Sequence, residues 1–170
     1  MKTSVKIILG ATGLLVFGTA SYLYSQVLKL KNGAFKVFGA KDLKINAGNL
    51  SVTLLAKFKN NSDISATVKD QYYEIFVNDK KVGEVSNAES IKVSSNGESV
   101  IPLNIKANLL SVLTESLANL GNYFNNQDAV TLKVKGYLTW KSGLISSKQP
   151  FEISKTLKEI NQLILESKTT

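Results

Sequence analysis

A two-residue alternation of side-chain character is the feature that most constrains this chain. Leu50, Val52, Leu54, Ala56 and Phe58 interleave with Ser51, Thr53, Leu55, Lys57 and Lys59. In an extended segment this gives one mostly apolar face and one mostly polar face. Asn60-Asn61-Ser62-Asp63 then breaks the run. The pattern returns in Ser99–Ala107, where Ile101, Leu103 and Ile105 oppose Val100, Pro102, Asn104 and Lys106. It returns again in Val130–Trp140, with Val130, Leu132, Val134, Leu138 and Trp140 against Thr131, Lys133, Lys135, Tyr137 and Thr139. Tyr72–Val77, Lys81–Val85 and Phe151–Ile153 are shorter candidates. Pro102 has no N–H for a ladder and marks an edge strand or a bulge. Asn78-Asp79-Lys80 suits a hairpin between Val77 and Val82, and Asn96-Gly97 suits a tight turn. Short strands joined by tight turns, with no regular alternation of strand and helix, predict an all-β antiparallel sandwich.

Two segments of this body read as helices. Leu109, Leu113, Leu117 and Leu120 recur at helical spacing between Asn108, a suitable N-cap, and Gly121, a suitable stop. This predicts one inserted helix across an open end of the sandwich. In the tail, Leu157, Ile160 and Ile164 share a helical face that Leu163 and Leu165 broaden. That amphipathic helix is expected to cover a sheet edge, with docking of a partner as the alternative.

The amino-terminal segment differs in kind. Ile7 to Leu28 is uncharged over 22 residues, long enough as a helix to reach roughly 33 Å and so to span a bilayer core of about 30 Å. Ile7, Ile8, Leu9, Leu14, Leu15, Val16 and Phe17 form its richest part. The small residues Gly18-Thr19-Ala20-Ser21 would also suit a signal peptidase. Tyr22, Leu23, Tyr24, Val27 and Leu28 carry the apolar character beyond that site, which favours a retained anchor over a cleaved leader. A buried soluble helix is the third reading, disfavoured because the segment is apolar all round. The expected organisation is a membrane anchor or signal segment over 1–28, a sandwich over 29–154 and an amphipathic tail over 155–170. Lys2 and Lys6 precede the span and Lys29, Lys31, Lys36, Lys41 and Lys44 follow it, so the side of the membrane stays open. Secretion follows if the leader is removed.

Composition narrows the chemistry. The chain has no Cys and no His, and all 21 basic residues are Lys. Thiolate nucleophiles, zinc–thiolate sites and imidazole bases are therefore excluded. No catalytic, cofactor-binding or metal-ligating residue is assigned, and the chain is expected not to be an enzyme. Asp70 with Glu74, and Glu84 with Glu89, read as solvent-facing rows of strands. Asn60, Asn61 and Asp63 could offer oxygen ligands to calcium, but they lack an EF-hand-like loop and read as a turn. Trp140 and Tyr72-Tyr73 read as core and cross-strand packing.

The net charge of +8 is segregated along the chain. Lys29 to Lys69 carries eight Lys against two acids, whereas Asp70 to Val130 carries four against eight. A basic stretch directly after a membrane span is placed to meet anionic headgroups, with Lys29, Lys31 and Lys36 the candidate contacts. Nucleic acid is disfavoured as a partner, because Arg is missing.

From about Phe35 to Ser154 the chain resembles the late embryogenesis abundant (LEA) type-2 family, also called the WHy domain. The resemblance is carried by Leu50-Ser51-Val52-Thr53-Leu54-Leu55-Ala56-Lys57-Phe58-Lys59-Asn60 with Asn61-Ser62, and by Tyr73 to Gly83. Ile101-Pro102-Leu103 and Val134-Lys135-Gly136-Tyr137-Leu138 complete it. Asn60, Asn61, Gly83, Pro102 and Gly136 are the structural motif positions; Asn61 stands where the family frequently has Pro. The resemblance implies a fibronectin-III/immunoglobulin-like antiparallel β-sandwich of about seven strands with one helix, commonly behind an N-terminal anchor. It implies no agreed catalytic residues and a link to desiccation and other stress. The expected function is a non-enzymatic, membrane-anchored module that binds a protein or lipid surface. Its alternatives are a structural component of a virion, bacteriophage or cell-envelope assembly, and a lipid carrier. No cofactor is implied.

Overall fold

The computed structural model describes residues 19, 21–46, 48–109 and 127–167. A helix over 21–31 (α1) leads almost directly into β1 (Ala34–Asn46). There follow β2 (Asn49–Lys59), β3 (Ala66–Val77), β4 (Lys80–Asn87), β5 (Ile91–Val93) and β6 (Glu98–Asn108). The chain continues in β7 (Thr131–Ser142), β8 (Ile145–Thr156) and a closing helix α2 (Leu157–Ser167). The helix expected over Asn108 to Gly121 lies mostly outside the described residues, although Leu109 is buried.

All pairing is antiparallel, in two sheets. One has the order β1-β2-β6; the other has β4-β3-β7-β8, with β5 paired to the start of β3 on the same edge as β4. The expected all-β sandwich is observed. The apolar rows read from the sequence face inward: Leu50, Val52, Leu54, Ala56 and Phe58 are buried, as are Ile101, Leu103 and Ile105, and Val130, Leu132, Val134, Leu138 and Trp140. Each sheet removes one apolar face from water against the other, which is what the alternation requires.

Aromatic contacts fix how the layers stack. Phe58 of β2 lies 4.2 Å from Trp140 of β7 between ring centroids, and Phe35 of β1 lies 5.2 Å from Phe151 of β8. β2 thus sits over β7, and β1 over β8. On the far side, the Tyr73 hydroxyl of β3 donates to the Asn104 carbonyl of β6 at 2.8 Å. Gly83 of β4 backs onto the Lys106 carbonyl of β6, which would lie 3.1 Å from an added Cβ.

The side between β1 and β8 is filled by α2, which packs on both strands. Leu157 and Ile160 are buried, Leu163 and Ile164 pack against the core, and the Ser167 hydroxyl donates to the Ala40 carbonyl at 3.2 Å. A capping box starts this helix: Thr156 Oγ1 accepts from the Glu159 N–H at 3.2 Å, and Glu159 accepts from the Thr156 N–H at 2.8 Å. The helix begins after β8, so the strand runs through the 154/155 division drawn from the sequence.

Two turns take their geometry from Asn and Asp. Asn78 and Asp79 both adopt positive φ (47° and 64°), joining Val77 to Lys80 in a hairpin of the primed type. Asn96 is likewise left-handed, at φ 49°. Gly136, opposite Tyr73 in the β3–β7 ladder, has no room for a side chain: an added Cβ would lie 2.0 Å from the Tyr72 carbonyl oxygen.

Candidate functional site

The feature of the molecule outside ordinary sandwich packing is the pole where α1 joins the domain. Here the ends of β2 and β7 and the starts of β1, β3, β6 and β8 come together. One face of α1 is seated: Gln26 and Leu30, four residues apart, are buried, while Tyr22, Leu23, Tyr24 and Leu28 are exposed. Leu30 joins the apolar core. Gln26 accepts a hydrogen bond from the Asp63 N–H at 2.8 Å, and Lys29 approaches the Asp63 carboxylate at 3.5 Å.

The receiving loop is itself a closed hydrogen-bond unit. Asn60 is fully buried and donates from Nδ2 to the carbonyls of Ile64 (2.8 Å) and Ser94 (2.9 Å). Its Oδ1 accepts from the Ser62 N–H (2.9 Å) and the Ser62 hydroxyl (2.6 Å). All four hydrogen-bonding positions of the amide are used, so Asn60 locks the β2–β3 connection. Asn96 Nδ2 donates to Asp63 at 3.0 Å, linking the β5–β6 turn to the same loop. That bond, then the charge of Lys29, holds the Asp63 carboxyl below the usual carboxylate range. Among the described residues no cluster of carboxylates could hold a metal ion.

The site residues expected from the sequence fall in three groups. Ile7, Ile8, Leu9, Leu14, Leu15, Val16 and Phe17 lie outside the described residues. Among the described residues no helix is long and apolar enough to cross a membrane. Tyr22, Leu23 and Tyr24 stand exposed on α1, whose helix runs uninterrupted through the 28/29 division. Gly136 and Gly83 are close-approach points, Pro102 lies in β6 at a sheet edge opposite Leu55, and Asn61 is exposed beside the locked Asn60. Of the three lysines, Lys29 engages Asp63, Lys31 is exposed on α1, and Lys36 lies directly opposite Lys57 on the outer face of the three-stranded sheet.

That outer face is more basic than the local sequence indicates. The register brings Lys36, Lys41, Lys44, Lys57, Lys59 and Lys106 onto it from three strands, with Glu98 held by Lys57 at 3.2 Å. Directly opposed like charges cost stability in a sheet. On the other sheet some of the lysines are held in ion pairs. Lys81 binds Glu74 at 2.6 Å and Glu84 at 2.9 Å, and Lys133 binds Asp79. The bonds to Glu74 and then Glu84 hold the Lys81 ammonium above the ordinary lysine range. These acids act as surface counter-ions.

The fold and this pole define an antiparallel β-sandwich with a helix docked at one end and a second helix closing its flank. No protein-family model matches the chain, and no curated protein matches it significantly in sequence. Similar solved structures include a crystal structure of a protein from Archaeoglobus fulgidus, with a TM-score of 0.51 at 18% identity over 72% of this chain and 92% of that one. A solution structure of an Arabidopsis thaliana protein aligns with a TM-score of 0.49 at 11% identity, over 72% of this chain and 78% of that one. Another, provisionally described as a late embryogenesis abundant protein, aligns at 0.46 and 12% identity over 84% of this chain and 88% of that one. At 18% identity the Archaeoglobus likeness establishes the shared sandwich fold.

Proposed function

We propose that this chain is a non-enzymatic β-sandwich of the LEA type-2 kind, tethered to a membrane by its amino-terminal run and presenting a protein- or lipid-binding surface, with a protective role under stress. The carrying observation is continuity. The uncharged run Ile7 to Leu28 overlaps α1, and α1 is fastened to the domain by Gln26 and Leu30 only a few residues before β1. A tether of this kind acts by position, raising the local concentration of the domain at the bilayer without requiring a tight binding site. The lysines that follow the run, and the basic outer face they join, suit an anionic surface.

Vesicle flotation of the full chain tests the proposal. The chain is expected to float with phosphatidylcholine vesicles and to resist alkaline carbonate. Leu14→Lys with Leu15→Lys should abolish both, because each charge at a span centre costs about 2.5–3.5 kcal/mol. Flotation unchanged by that pair, or absent in the parent chain, contradicts the tether.

A further inference from the structure

The pole that carries α1 has a second apolar projection, from an element far away in sequence. The β7–β8 hairpin turns through Gly143, at φ +56° with nothing within 4 Å of an added Cβ, and Leu144 beside it is fully exposed (104%). The turn is tied to the loop that receives α1: the Ser142 hydroxyl donates to the Ser65 carbonyl at 2.7 Å, two residues from Asp63, where Gln26 and Lys29 bind. Leu144 and the exposed Tyr22, Leu23 and Tyr24 of α1 therefore belong to one end of the molecule. A single exposed leucine is ordinary. One at a hairpin tip at the same end as an exposed Tyr-Leu-Tyr helix turn is a pattern suited to the interface of a bilayer, where tyrosine is favoured.

The α1 pole exposes Lys31, Lys59 and Lys141, and its acids Asp63 and Glu98 are engaged by Lys29 and Lys57. At the opposite pole Asp79 in the β3–β4 turn and Asp128 before β7 are likewise engaged, by Lys133 and Lys158, and Lys80 is exposed next to Asp79. α1, whose sequence continues the uncharged run, joins the domain at the pole that exposes Lys31, Lys59 and Lys141.

We infer that the α1 pole is a bilayer-facing surface: the Leu144 hairpin tip dips into the headgroup layer of the membrane that holds the amino-terminal run, while Lys31, Lys59 and Lys141 meet anionic headgroups. This rests on the tethered reading and adds an orientation to it, with the Asn78–Asp79 turn pointing away from the lipid.

The absence of cysteine makes the test direct, because one introduced thiol is the only labelling site. Full chains carrying Leu144→Cys or Lys80→Cys, each labelled with an environment-sensitive fluorophore, are reconstituted into phosphatidylcholine vesicles with and without phosphatidylserine, some containing shallow spin-labelled lipid. The label at 144 should shift to the blue and lose most of its intensity to the spin label, more so with phosphatidylserine. The label at 80 should do neither. Replacing Lys31, Lys59 and Lys141 by Gln should remove the phosphatidylserine increment. A label at 144 as solvent-exposed as that at 80, in vesicles with which the chain floats, overturns the orientation and leaves the tether standing. A shift that follows the protein-to-lipid ratio rather than the spin label assigns the tip to a second copy and also overturns it. Failure to float removes the tether and this surface together.

Discussion

Tyr73 in β3 reaches across the sandwich and donates its hydroxyl to the backbone carbonyl of Asn104 in β6, 2.8 Å away. It is a polar tie through a mostly apolar interior, and burial pushes its ionisation up to about 12. Tyr73→Phe should cost about 1 kcal/mol at neutral pH, from the lost hydrogen bond. The pH dependence has a definite sign. In the unfolded chain the phenol ionises near its ordinary value of about 10, whereas the folded state keeps the proton to about 12, so stability falls as pH rises from the first value towards the second. Urea midpoints for parent and Tyr73→Phe should converge between pH 9 and about 12; parallel curves would show that Tyr73 does not titrate this way.

At Gly136 the limit is steric. Gly136→Ala would drive a Cβ to 2.0 Å from the Tyr72 carbonyl oxygen and 2.5 Å from the Tyr73 Cα, atoms of the paired strand that cannot swing aside. Destabilisation of about 1–3 kcal/mol or more is expected. Gly39→Ala is the contrasting control, since its nearest neighbours lie at 3.5 and 3.6 Å, ordinary contact distances. Comparable thermal midpoints for the two variants would contradict the close-approach account.

Gln71 is buried in β3, and its amide Nε2 and Oε1 lack hydrogen-bond partners among the described residues, as does Trp140 Nε1. An unpaired buried amide costs about 1–3 kcal/mol. Gln71→Met, which keeps length and flexibility, should therefore leave stability unchanged or raise it by up to that amount in chemical denaturation. A loss exceeding 1 kcal/mol would mean that the amide is satisfied in solution.

The start of α2 makes its own prediction. A hydrogen bond from Lys155, then that from the Thr156 N–H, holds the Glu159 carboxyl below its usual range. A depressed carboxyl contributes stability above its ordinary value, lost as pH falls through the folded-state value. Amides of α2 should exchange faster with solvent under acid, while β2 and β7 amides stay protected. Thr156→Ala should loosen the same helix at neutral pH by about 1 kcal/mol. Uniform loss of protection across the strands would show that α2 is not a separately stabilised element.

Much of the sandwich was legible where a strand buries one face completely. β2, β6 and β7 alternate cleanly because each contributes a full inward row, and Asn78-Asp79 announces its turn through two residues tolerant of positive φ. β1 is harder to read because register shifts at Val37/Gly39 and Lys41/Lys44 break its period. β8, an edge strand with Pro150 and few apolar side chains, shows strand character in the sequence only at Phe151–Ile153. β5 has three residues and no periodicity to show. At the pole, the lysine excess after the apolar run could be counted, but Lys57, Lys59 and Lys106 join Lys36 on one face only through strand register. Gln26 carries a signal in the sequence, a long polar side chain inside an apolar run. Leu144 follows Gly143 in plain view, but what sets it apart is the company it keeps with α1, a relationship made by the fold.

The tether is tested most directly by fractionating the native protein and weighing it intact. Recovery from the membrane fraction, with a mass that retains Met1 to Leu28, is the predicted result. A soluble or secreted form lacking roughly the first twenty residues, as signal-peptidase cleavage after a leader of typical length would leave, would contradict it.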